Sequence, residues 1–140
     1  MSWDILLGEE LLHFADKKLI YKLSPLEMLG ALRGTPSARV ENLISVQLHQ
    51  DPWTSKVLRG IRAPGTGFPF VIMLGTLRHR FGKDFSVVYR RRPVLLLEFE
   101  NESFARWIIP AAEENIKLLS SLNPNWPKLA TENSSGAAKA

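Results

Sequence analysis

Cysteine is absent from the 140-residue chain. That removes disulfides, thiolate zinc sites and cysteine nucleophiles together, and is compatible with a reducing compartment. Long apolar runs are absent too: the longest, 68–74, has seven residues, where a membrane-spanning helix needs about 20. The start, Met1-Ser2-Trp3-Asp4, lacks the basic residues of a secretory signal. The cytoplasm is therefore the expected location, with peripheral attachment to a membrane as a variant. Histidine is scarce. His13, His49 and His79 are scattered, with no His-x-x-x-His pair and no carboxylate pattern beside them, so neither a metal nor a cofactor is expected. Charge of one sign is not in large excess either, with 18 Lys and Arg against 14 Asp and Glu.

What is present points to a folded domain. Apolar residues make up 45% and charged residues 23%, which excludes a disordered chain, and the length suits a single core. Ile5, Leu6, Leu7, Leu11, Leu12 and Phe14 fit a helix or a strand equally well, so residues 1–17 form a segment of open type. Residues 18–23 alternate and read as a strand after the turn-like Ala15-Asp16-Lys17. Ser24, Pro25 and Glu27 make a capping box with proline at the first helical position, and Gly34 can close the helix expected at 25–33. Ile44, Val46 and Leu48 alternate with Ser45, Gln47 and His49, which predicts a strand with the first three in the core. Glycine and proline punctuate 59–67, which reads as a loop. Three strands in a meander are expected next, at 68–77, 84–90 and 94–99, the second with Phe85, Val87 and Tyr89 on one face. A turn at Asn101-Glu102 then leads into a strand at 104–109. Pro110 opens a terminal helix with Ala112, Ile116 and Leu119 on one face. Beyond Leu122 too little apolar surface remains to offset chain entropy, so 123–140 is expected to be a flexible tail.

The motifs Leu23-Ser24-Pro25-Leu26-Glu27, Asp51-Pro52-Trp53, Arg59-Gly60-Ile61-Arg62-Ala63-Pro64-Gly65-Thr66-Gly67 and Gly82-Lys83-Asp84-Phe85 resemble a group of uncharacterised bacterial proteins with pleckstrin-homology-like (PH-like) domains. The resemblance covers residues 18–122. It implies an α+β fold, a PH-like antiparallel barrel or strongly bent sheet with an inserted short helix and a C-terminal capping helix. It also implies a binding module for phosphoinositides, peptides or other proteins, and it transfers no activity and no site residue. One departure is Phe70, where the family often has a glycine after the proline matching Pro69.

Charge is unevenly spread. Residues 56–92 hold nine basic side chains against the single acid Asp84, whereas the rest holds nine against thirteen. In a meander, Lys56, Arg59, Arg62, Arg90, Arg91 and Arg92 gather at one end beside Gly65, Thr66 and Gly67, with Glu113 and Glu114 the nearest acids. Planar guanidinium groups and open glycine backbone there suit a phosphate or anionic lipid headgroup. The bland alternative is a solvated basic rim that discourages edge pairing. At the opposite end Arg78, Arg80 and Lys83 meet Glu100 and Glu102.

Catalytic patterns are lacking. Gly65-Thr66-Gly67 neither follows a strand into a helix nor ends in Gly-Lys-Ser/Thr, so it is no nucleotide fingerprint. Ser45 and His49 share a strand face about 13 Å apart by strand rise, too far for direct proton transfer. Arg80-Phe81-Gly82-Lys83-Asp84-Phe85 matches an RNA-recognition strand poorly, and nucleic acid is disfavoured as a partner. Trp53 and Trp107 read as core or rim packing. The expectation is a non-enzymatic binding module for a protein or peptide, with anionic lipid or phosphate as the alternative ligand. A small hydrolase ranks last, and oligomer formation is left open.

Overall fold

The computed structural model describes residues 12–22, 36–54, 57–58 and 72–129, and the backbone of 61–68. The helix expected at 25–33 lies outside the described residues, as does most of the 1–17 segment. Strand β1 (Leu12–Ala15) settles the type of that segment's described end. It turns into β2 (Lys18–Tyr21) through Asp16 and Lys17 alone, at φ 54° and 64°. Positive φ at both positions is what a two-residue hairpin of matching twist requires, and Asp tolerates it better than most residues. β3 (Ser37–Arg39) pairs with the other side of β2, and one turn of 3-10 helix (Val40–Asn42) leads on to β4 (Leu43–His49).

The main sheet adds β5 (Ile61–Phe68), β6 (Ile72–His79), β7 (Gly82–Tyr89), β8 (Val94–Phe99), β9 (Arg106–Pro110) and, after helix α1 (Glu113–Leu122), the short β10 (Lys128–Leu129). Its order is β10-β4-β8-β9-β7-β6-β5. The described residues are thus mainly sheet with one α-helix, an α+β arrangement, but the sheet is open: β10 and β5 are its two ends and do not pair. The described strands do not form a closed barrel.

The expected meander also fails at one step. β6 and β7 form the expected hairpin, yet β8 does not neighbour β7, because β9 inserts between them and runs parallel to β7, with Phe85 opposite Trp107. The connections show why. Two residues, Arg80 and Phe81, join His79 to its register partner Gly82, which forces adjacency. Residues 90–93 instead leave room to cross two strand spacings, about 10 Å.

Hydrophobic burial fixes both faces. On the first, Leu74, Phe85, Val87, Leu95, Leu97, Trp107 and Ile109 join Leu12, Leu19, Tyr21 and Ala38 of the small sheet and Leu119 of α1. Phe85 is the hub, with the rings of Tyr21, Phe104 and Trp107 at 6.1, 5.7 and 6.2 Å. On the second face Leu77, Val88, Val94, Leu96 and Ile108 are covered by Val57, with Trp53 and Leu58 against them. β8 is therefore buried on both sides, which is why Val94-Leu95-Leu96-Leu97 is continuously apolar.

Four local expectations are corrected. The segment 59–67 is not simply a loop, since most of it belongs to edge strand β5. An edge tolerates Pro64, and the register slips between Arg62 and Gly65, opposite Gly75 at φ 123°. In β4 the register also slips, between Leu43 and Ser45, so Leu43 enters the core and Ile44 is left 54% exposed. Pro110 ends β9 rather than opening α1, whose first residue is Glu113. Residues 123–129, expected as the start of a tail, place Trp126 against the core and pair Lys128 and Leu129 with Gln47 and Leu48.

One buried amide ties these layers. Asn115 is fully buried; its Oδ1 accepts the Leu12 N–H at 2.9 Å and its Nδ2 donates to the Pro110 carbonyl at 3.0 Å. Replacing it by Asn115→Leu keeps the number and branching of side-chain heavy atoms and strands both backbone groups, at about 1–3 kcal/mol each. Urea unfolding of this variant is expected to show a loss of about 2–6 kcal/mol; an unchanged midpoint would mean that β1 is not anchored to α1.

Candidate functional site

Register sorts the sheet into two ends. At one lie the β6–β7 turn, the start of β5 and the β8–β9 turn; at the other lie the β5–β6 and β7–β8 connections, the end of β4 and the start of α1. The basic residues expected to converge do so only in part. Arg90, Arg91 and Arg92 are exposed in the β7–β8 connection. Thr66 and Gly67 approach the same end, since β5 finishes with Phe68 opposite Ile72, itself opposite Tyr89. Gly65 sits at mid-strand, in line with Gly75 and Ser86. Arg62 is not with them: its backbone partner is Leu77, in line with Asp84. It is five residues, about 17 Å of strand rise, from the row that ends in Tyr89. Lys56 and Arg59 lie outside the described residues. The reason for the split is β5 itself, because a strand where a loop was expected carries Arg62 to the far end.

The turn that holds the three arginines is fixed from below. Arg90 takes φ 52°, and its carbonyl accepts the indole N–H of half-buried Trp53 at 2.6 Å. Asp51 caps the Trp53 N–H at 3.0 Å, so an acid that charge counting had left aside stands at this end beside Glu113 and Glu114. Glu113 meets Lys117 at 3.7 Å.

The other end holds a network that sequence reasoning missed. Ser45, Glu98, Arg106 and Asp84 occupy one register line across β4, β8, β9 and β7, on the second face. Ser45 donates to Glu98 at 2.7 Å. Asp84, fully buried, accepts Arg106 Nε on Oδ2 and His79 Nε2 on Oδ1, both at 3.0 Å. Arg106 also donates from Nη2 to the Val57 carbonyl at 2.7 Å, which pins the cover of the second face. His79 Nδ1 accepts the Phe81 N–H at 3.1 Å, so Nε2 carries the hydrogen given to Asp84. Both imidazole nitrogens are engaged, and taking a proton from a substrate would break one of these bonds. The signal available in the sequence was a lone acid beside Phe85 in a strand that continues to Val87 and Val88, and an arginine abutting Trp107-Ile108-Ile109; such charges are buried only when paired.

The remaining candidates disperse. His49 bonds Gln47 at 3.0 Å and Ser45 bonds Glu98, so no triad forms with Asp51. Glu102 accepts the Arg39 N–H at 3.0 Å and Asn42 Nδ2 at 2.6 Å, tying the β8–β9 turn to the start of β4. Among the described residues no three His, Asp or Glu side chains cluster to hold a metal, and no helix is long and apolar enough to cross a membrane. No family model, curated protein or solved structure matches the chain.

Breaking the buried pair from one side leaves an uncompensated charge, which costs about 3–5 kcal/mol, whereas an apolar replacement of both partners is often neutral. Arg106→Met and Asp84→Leu are each expected to lower the free energy of unfolding by about that amount, and the double variant to lie closer to the parent than either single one. Additive losses in a denaturant double-mutant cycle would mean that the two groups do not act as a pair.

Proposed function

We propose that the chain is a non-enzymatic binding module of PH-like type that takes an extended segment of a protein or peptide along the outer edge of β5. The observation that carries this is the open sheet. β5 is eight residues long and closes one end of a seven-stranded order, and among the described residues no strand lies on its outer side. A row of main-chain donors and acceptors at such an edge recruits a further strand, with side-chain pockets supplying the choice of sequence. The PH-like assignment is supported by the helix that follows the last long strand, whose Leu119 enters the core; the parallel β7–β9 pairing departs from a simple up-and-down order. Hydrogen exchange on the captured complex tests the edge. Amides within 61–68 are expected to slow on binding, and reversing the charge of Arg90, Arg91 and Arg92 is expected to leave capture unchanged. Protection confined to other strands would end this reading.

A second reading is favoured by the arginine turn: three consecutive exposed cations on a backbone braced by Trp53, with Thr66 and Gly67 at the same end, suit an anionic headgroup or phosphate. Sedimentation at low salt with phosphatidylserine-containing vesicles is expected to carry down the parent and not the Arg90→Ala/Arg91→Ala/Arg92→Ala variant. Equal amounts of both left in the supernatant would dismiss it.

A further inference from the structure

The end of the sheet opposite the arginine turn carries a feature that neither reading uses. Phe81, at the tip of the β6–β7 hairpin, is 73% exposed, the most of any large hydrophobic side chain among the described residues. Single exposed apolar residues are common, but this one is held in place. Its N–H is bonded to His79, which is bonded in turn to the buried Asp84–Arg106 pair. The Arg80 guanidinium sits 5.3 Å from its ring centroid, and the His79 ring 6.2 Å. Gly82, at φ 132°, supplies the backbone that closes the turn. An aromatic group presented on a braced turn has little freedom left to lose on contact, which is the property of binding anchors.

Its surroundings are cationic. Arg80 and Lys83 lie over the rings of Phe81 and Phe104, and neither belongs to an ion pair among the described residues. The start of β5 is close, since Ile61 pairs with Arg78 on the β6 arm of the same hairpin. A flat anionic surface fits less well. The neighbouring β8–β9 turn brings exposed Glu100 and half-buried Glu102 to the same end, and such a surface would meet those carboxylates together with Arg80. A chain one strand wide need cover only the hairpin tip.

We propose that Phe81 is the anchor for an acidic peptide segment, whose apolar side chain packs on the Phe81 ring while flanking carboxylates face Arg80 and Lys83. The inference rests on the protein-binding reading above and names the chemistry of its partner. The test is selection from a random displayed-peptide library on the full chain, followed by titration of the synthetic selected peptides. Selected sequences are expected to place Asp or Glu on both sides of an apolar residue. Their affinity is expected to fall at least about tenfold in Phe81→Ala, to persist in Phe81→Trp, and to weaken with salt less steeply in Arg80→Ala/Lys83→Ala than in the parent. Because Phe81 is exposed, the thermal midpoint of Phe81→Ala should match the parent. Affinity for Phe81→Ala within twofold of the parent overturns the anchor, and slowed exchange in 61–68 with the same peptides would then leave the strand-edge reading standing. A tenfold loss without that protection keeps the anchor and ends the edge reading. A selection yielding no acidic peptide overturns the anchor, as does Phe81-dependent sedimentation with phosphatidylserine vesicles, which would make the tip a membrane contact.

Discussion

Arg106 and Asp84 meet at 3.0 Å, the carboxylate fully buried and the guanidinium nearly so, on strands that run parallel with these two residues in register. Two buried charges can share a sheet interior only if each is neutralised and its remaining hydrogen-bonding positions are filled. That requirement organises much of the molecule. It places β9 beside β7, brings the Val57 carbonyl down onto the second face, and orients His79 so that its other nitrogen receives the N–H of Phe81. A core contact is thus connected in three hydrogen bonds to the backbone N–H of Phe81, whose side chain is the most exposed large hydrophobic one of the described residues.

The two faces divide the labour. The first is mainly apolar, built on Phe85 and Trp107 and shared with the small sheet and α1. It supplies the hydrophobic driving force. The second mixes an apolar half, Leu77, Val88, Val94, Leu96 and Ile108, with the polar line from Ser45 to Asp84. Apolar contacts are indifferent to neighbour order, whereas a hydrogen-bonded ion pair accepts one partner in one geometry. Core and polar line together favour one arrangement of the strands.

Strand existence was legible in the chain because alternation and apolar runs report burial directly. Val94–Phe99 was read with the same bounds that it has, and Phe85 and Val87 face the first core as their spacing implied. Neighbour order was not legible, since alternation gives a strand two faces but says nothing about which strand lies beside it. The four residues after Tyr89, compared with the two after His79, were the available hint. β5 was hidden by Pro64 and by glycines that fit an edge strand with a register slip as well as they fit a loop. That one misreading moved Arg62 to the wrong end and split the expected basic cluster. Ile44 was misplaced by a single-residue slip that periodicity cannot foresee, and Asp84 was counted as a stray acid because its partner lies 22 residues away in sequence.

The central claim is that β9, not β8, is the neighbour of β7. Cross-strand nuclear Overhauser effects in an isotopically labelled sample measure this most directly. The account predicts backbone contacts between Phe85 and Trp107 in a parallel pattern, and none between β7 and β8. A continuous antiparallel ladder joining β7 to β8 would contradict it.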